Sequence, residues 1–188
     1  MPRLFIAFKL NDKQKHQLSD LQHKIESYLE GVRWVRPENM HLTLKFLGEV
    51  GDDSLGQIQM AMDQAAEEFK TFIIRFGGCG VFPGRNKARV IWIGLKEGQA
   101  PLRELADKLE SNLSGYGFKR ENRNYQPHLT IGRFRYQVQL NKIDRFLEEE
   151  IIFETSTADA KEIILYESCL TKQGAIHTAI HKAFLKGS

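Results

Sequence analysis

Two cysteines, Cys79 and Cys169, are too few for a disulfide framework, and they lack the CxxC spacing of a zinc or redox motif. They read as reduced thiols in a cytosolic protein. No apolar run is long enough to cross a bilayer, so no membrane association is expected. The opening MPRLFIAFKL lacks the extended apolar region and small-residue cleavage site of a secretory signal and reads as a first strand. Prolines number five and no low-complexity linker interrupts the chain, so residues 1–188 read as one bilobal unit. Charge of one sign is also scarce: 27 Lys and Arg face 24 Asp and Glu, for a net +3, too little by itself to declare a nucleic-acid partner. What the chain does have is 41% hydrophobic residues, enough to bury a core and to exclude intrinsic disorder.

The charge is unevenly placed. Acidic residues gather in AAEEF (65–69) and FLEEE (146–150), both helical in pattern. Basic residues gather in GVRWVRPENMH (31–41), PGRNKAR (83–89) and FKRENRNYQPH (118–128). Two of these three basic stretches run directly into a repeated motif, HLTL at 41–44 and HLTI at 128–131.

Periodicity sets the architecture. LFIAFKL (4–10) reads as a strand, and Asn11 then offers an N-cap to a helix over 13–30, with Leu18, Leu21, Ile25 and Leu29 on one face and Gly31 as its stop. VRWV and HLTLKFLG read as strands divided by Pro37. A second helix starts at Asp52-Asp53-Ser54. FIIRFGGCGVF and ARVIWIGL read as strands joined by the turn PGRNK. Pro101 opens a third helix carrying Leu102, Leu105, Leu109 and Leu113, and NKIDRFLEEE forms a fourth. IIFETSTA, EIILYESCL and HTAIHKAFL read as closing strands. Long helices between hairpin-like strands predict an α+β fold with antiparallel sheets. The duplicated motif predicts two pseudo-equivalent lobes facing across a cleft, with helices on the outer faces, and a monomer.

In a strand, alternate residues share a face. His41 and Thr43 therefore lie side by side, with Lys45 next along, and Leu42, Leu44 and Phe46 take the core side. His128 and Thr130 repeat the arrangement against Leu129 and Ile131. An imidazole exchanges protons near neutrality, and a hydroxyl both donates and accepts hydrogen bonds. One such pair is commonly just the solvated face of a sheet. Two copies suit displacement at phosphorus, where attacking and leaving oxygens lie on opposite sides and want a base and an acid.

A metal would be the other use of paired histidines, but zinc wants three or four convergent ligands, and Leu, Thr and Pro flank these two. Neither a metal nor another cofactor is expected. His177 and His181 in HTAIH lack the glutamate of HExxH and read as structural; His16 and His23 read as solvated on a polar helix. Arg133 is the candidate phosphate ligand, because Gly132 can mark a bulge that re-aims it toward His128. Lys45 is its counterpart in the first lobe. Trp34, Phe82, Tyr125 and Phe134 are candidates for stacking a base, with core packing as the competing use of each.

PENMHLTLKFLGEV and PHLTIGRF resemble the two signature tetrapeptides of the two-histidine phosphoesterases, specifically the bacterial and archaeal RNA 2′,3′-cyclic phosphodiesterases, also called 2′-5′ RNA ligases. RLFIAFKL, GCGVFPGRNKARVIWIGL and ILYESCLTKQGAIH resemble that family's first strand, middle hairpin and last two strands. The chain departs at Gln126, where arginine or threonine is common, and at His177, where an aromatic is frequent. The resemblance implies metal-independent opening of a terminal 2′,3′-cyclic phosphate to a 2′-phosphate. His41 would be the proton donor and His128 the proton acceptor, with Thr43, Thr130 and Arg133 binding substrate. Partners would be RNA with a cyclic phosphate end, such as tRNA halves, or nucleoside cyclic phosphates. A non-catalytic RNA-end-binding module, or a phosphoesterase acting on ADP-ribose cyclic phosphate or 2′-5′ oligoadenylate, are the alternatives.

Overall fold

The computed structural model describes residues 3–122, 124–172 and 174–187. Within them the chain runs β1 (Arg3–Lys9), α1 (Asp12–Glu26), β2 (Val32–Trp34), β3 (His41–Glu49), α2 (Leu55–Ala66), β4 (Phe72–Phe82), β5 (Val90–Glu97), α3 (Gln99–Gly115), β6 (Leu129–Phe134), α4 (Leu140–Glu150), β7 (Ala158–Ala160), β8 (Glu162–Thr171) and β9 (Gly174–Phe184). A short 3₁₀ turn at Pro37–Asn39 leads into β3. The strands form two antiparallel sheets, ordered β3-β1-β8-β9 and β2-β6-β5-β4-β7. They face across a central cleft with helices outside, the α+β arrangement expected from the sequence.

Each sheet is covered by helices that bury an apolar stripe. α2 and α3 pack on each other and on the four-stranded sheet. In α3, Leu102, Leu105, Leu109 and Leu113 recur at helical spacing and are all buried. α4 packs on β4, and α1 lies over the five-stranded sheet, where its buried Gln22 donates to the carbonyls of Val35 and Ile131, both at 2.8 Å. Asn11 caps α1 by accepting from the Gln14 amide at 2.8 Å. The helix ends at Glu26, short of Gly31. That glycine instead has φ +75°, and the Tyr136 ring lies 2.4 Å from where its Cβ would stand, so two separate demands require glycine there.

One expected strand does not form. Of residues 151–158 only Ala158 enters β7. Ile151 and Ile152 are exposed, and Glu154 makes a single isolated bridge to Gly77. The rest of the stretch bonds the β4 backbone only around the break at Gly78 (φ +69°), where the Thr155 amide donates to the Phe76 carbonyl at 3.0 Å and the Gly78 amide to the Phe153 carbonyl at 3.1 Å, too short a run to make a strand.

The two halves repeat one another in register. Along β1 and β3, Phe5 faces Phe46, Ile6 faces Lys45 and Ala7 faces Thr43, skipping Leu44. Along β5 and β6, Val90 faces Arg133, Ile91 faces Gly132 and Trp92 faces Thr130, skipping Ile131. The third strand follows suit, since Tyr166 lies opposite Phe5 and Phe82 opposite Val90. β9 breaks the symmetry. It runs alongside the whole of β8 and sets His177 opposite Ser168, whereas β7 pairs only with residues 72–74 at the far end of β4.

Candidate active site

β3 and β6 belong to different sheets and are in direct contact, so the two HLT motifs lie on adjoining strands. Each histidine is locked by the same bond. His41 Nδ1 lies 2.7 Å from the Asn39 carbonyl, and His128 Nδ1 lies 2.7 Å from the Gln126 carbonyl. A carbonyl only accepts, so Nδ1 carries the proton in both rings and Nε2 is the nitrogen left free to exchange a proton with substrate. In both cases the acceptor sits two residues upstream. Each approach segment is itself tethered: the Asn39 side chain donates to the Ala175 carbonyl on β9 at 2.9 Å, and the Tyr125 hydroxyl donates to the Thr43 carbonyl at 2.7 Å. Burial pushes the Tyr125 phenol upward, which keeps it a donor.

The skipped residue in each motif strand decides what stands beyond the threonine. Strict alternation places Lys45 beside His41 and Thr43; the structure corrects this. The bulge at Leu44 turns Lys45 to the opposite face, where it is 5% exposed, with Nζ 2.6 Å from Glu110 Oε1 and 3.0 Å from the Lys119 carbonyl. Its expected place falls to Phe46, 66% exposed, whose ring centroid lies 6.1 Å from that of Phe5. The matching bulge at Ile131 puts Arg133 on the face of His128 and Thr130, exposed to solvent. The register break precedes Gly132, which faces inward. A Cβ there would lie 2.6 Å from Val32 and 3.0 Å from Trp34. One wall thus offers an apolar ring at the position where the other offers a cation.

The walls differ around the histidines as well. His41 lies against Phe5 (4.6 Å between ring centroids) and edge-on to His177 (5.2 Å), with Tyr166 stacked on Phe5. Burial, aided by the neighbouring His177, pushes the His41 pKa down to about 4, against the opposing pull of the Asn39 carbonyl. Burial also lowers the His177 pKa. His177 Nδ1 is enclosed and has no hydrogen-bond partner among the described residues, so protonating both nitrogens would bury an unsatisfied donor. His128 instead meets Phe82 at 5.1 Å in a T-shaped contact, and Phe82 stacks on Trp92.

His177 is a site-lining residue that its spacing in the sequence does not single out. Spacing of four groups it with His181 as structural, but β9 bulges at Ile180 and separates them. His181 turns to α2 and meets Asp63 at 2.8 Å, a structural contact; His177 turns to His41. Of the aromatic candidates, Phe82 borders His128. Trp34 and Phe134 pack into the core, and Tyr125 is spent on its tether to β3. Among the described residues no group of three or more His, Cys, Asp or Glu side chains is arranged to hold a metal ion.

The chain is similar to known proteins in sequence and in fold. The family model for LigT like phosphoesterase matches the chain twice, over residues 8–92 and 93–177, one match per HLT motif. The RNA 2′,3′-cyclic phosphodiesterase of Methanocaldococcus jannaschii is 35% identical over 95% of this chain and 98% of its own. The crystal structure of TT0787 of Thermus thermophilus superposes with a TM-score of 0.81 at 23% identity, covering 98% of both chains. Escherichia coli LigT, solved in complex with 3′-AMP, gives 0.79 at 24% identity, covering 99% of both. These two share the fold. The chain belongs to the LigT like phosphoesterase family.

Proposed function

We propose that the protein is an RNA 2′,3′-cyclic phosphodiesterase that opens cyclic phosphate termini to 2′-phosphates by metal-independent acid–base catalysis. The observation that carries this reading is the duplication in geometry as well as sequence: two His-x-Thr strands, each bulged at the same place, each holding its imidazole by an Nδ1 bond two residues upstream. The name borne by the 35% identical archaeal relative supports it.

His128 Nε2 takes a proton from water as the water oxygen attacks phosphorus. The bond to the 3′-oxygen breaks, and His41 Nε2 delivers a proton to that oxygen, leaving a 3′-hydroxyl and a 2′-phosphate. Thr43 and Thr130 donate to the non-bridging oxygens, and Arg133 offsets the charge that grows on them. The assignment of donor and acceptor follows the family resemblance. Because His41 is neutral in the free protein at pH 7, it must gain its proton as the anionic phosphodiester binds. The same reading carries a monomeric cytoplasmic enzyme acting on RNA ends such as tRNA halves, with 2′-5′ ligation as the reverse reaction.

Phosphorus NMR of the products from cytidine 2′,3′-cyclic phosphate and from RNA with the same terminus tests the reading. A 2′-phosphate, formed at the same rate with and without EDTA, is expected. A 3′-phosphate reverses the assignment of the leaving oxygen, and a rate abolished by EDTA and restored by zinc removes the metal-free claim.

A further inference from the structure

Arg33 and Arg133 stand directly opposite each other on β2 and β6. Directly paired residues of antiparallel strands project from the same face. Their neighbours Val32, Trp34 and Phe134 pack inward, so both guanidiniums point to the side that carries His128 and Thr130, and both residues are exposed. Arg135 follows two residues further along, exposed and just past the end of β6, its backbone amide held by the Gly31 carbonyl at 2.9 Å.

None of the three side chains has an ion-pair or hydrogen-bond partner among the described residues. Arg75, Arg85 and Arg145 each meet a carboxylate, whereas Arg89, Arg103 and Arg120 are exposed single cations; what sets Arg33 and Arg133 apart is that they stand directly opposite each other. Glu30, the carboxylate nearest to Arg33 in sequence, lies 3.9 Å from Lys142. Like charges directly opposite in a sheet repel and lower stability. A fold that keeps such a pair unscreened at the border of its site has an anion to place there.

We propose that Arg33, with Arg135, forms a subsite for the backbone phosphate on the 5′ side of the terminal nucleotide, so that the protein selects RNA chain ends over free nucleoside cyclic phosphates. The proposal rests on the reading above, in which Arg133 meets the reacting phosphate. Arg33 lies one strand further out toward the sheet edge, and Arg135 two residues further along the chain, where an RNA strand leaving the site by its 5′ oxygen would run. On the other wall Phe46 stands at the place of Arg133 and, among the described residues, no strand lies beyond β3 to match β2, so this cation track exists on one side only.

The test compares kcat/KM for cytidine 2′,3′-cyclic phosphate, which has no 5′-phosphate, with that for the dinucleotide ApC ending in the same cyclic phosphate. Wild-type protein is expected to favour the dinucleotide by about tenfold or more, the worth of a charge-assisted phosphate contact. Arg33→Ala removes that preference while turnover of the mononucleotide stays within about twofold, and Arg33→Lys restores part of it. Equal losses on both substrates, or no loss on either, overturn the proposal. Binding of a fluorescent RNA ending in a 2′-phosphate gives a second readout, independent of catalysis. Its salt dependence is expected to flatten by about 0.7 in log–log slope in Arg33→Ala. An unchanged slope also overturns it. Absence of turnover on both substrates by the wild type contradicts the reaction assignment alone, and the binding arm still decides the subsite.

Discussion

His177 lies edge-on to His41, their ring centroids 5.2 Å apart, on the strand β9, which runs beside the whole of β8 where its counterpart β7 pairs only with the far end of β4. The duplicated motif supplies two imidazoles in matched settings; β9 makes the settings unequal. Protonating His41 means placing charge in a wall of Phe5, Tyr166 and a second imidazole. Against burial and that second imidazole, the Asn39 carbonyl alone favours the charged ring.

His177→Phe keeps an aromatic wall and removes the competing charge. The His41 pKa is expected to rise from about 4. The ring-proton shifts of His41 followed by NMR against pH report this directly, and the limb of the kcat/KM profile that belongs to His41 moves to higher pH with it. A His41 titration unmoved by the substitution shows that burial alone sets its proton affinity.

Folding stability is expected to depend on the same group. The unfolded imidazole takes a proton near pH 6.5, and the folded one only near about 4. Between those values the unfolded chain binds more protons, so stability falls as pH is lowered through that window, and His177 adds to the fall with the same sign. Denaturant midpoints at about pH 7 and about pH 4.5, on either side of most of that window, check this. His41→Asn is expected to lose less stability over the interval than the wild type, and an equal loss counts against the lowered proton affinity.

Much of this is legible in the sequence because the periodic signals are strong. Leu18, Leu21 and Ile25 mark α1, the leucines of α3 mark its buried face, and the duplicated HLT marks two equivalent strands. Bulges are legible only where a glycine marks them. The skipped residues Leu44, Ile131 and Ile180 each swap the faces of whatever follows. Alternation alone therefore sends Lys45 to the site, and the structure buries it; spacing alone sends His177 to a structural role, and the structure sets it beside His41. Gly132 hints at a bulge because glycine is tolerated where backbones crowd; HLTLKF carries no such mark.

Lys45→Met follows from that correction. The lysine is buried and paired with Glu110, so its loss strands a carboxylate and is expected to destabilise the fold by roughly 3 kcal/mol. The remaining folded protein is expected to keep its KM for cyclic phosphate, because Lys45 faces away from His41. Denaturant melts and initial rates measure the two quantities separately. A raised KM with unchanged stability would return Lys45 to the phosphate.

The central claim is that His41 and His128 act on one phosphorus as a coupled acid and base, and a double-mutant cycle on single-turnover hydrolysis of an RNA cyclic phosphate tests it most directly. His41→Ala and His128→Ala are each expected to slow the reaction by about 10²–10⁴. The double variant is expected to be little slower than either alone, because a concerted pair fails when one member is gone. Losses that multiply in the double variant, or one histidine whose removal changes nothing, would contradict the shared site.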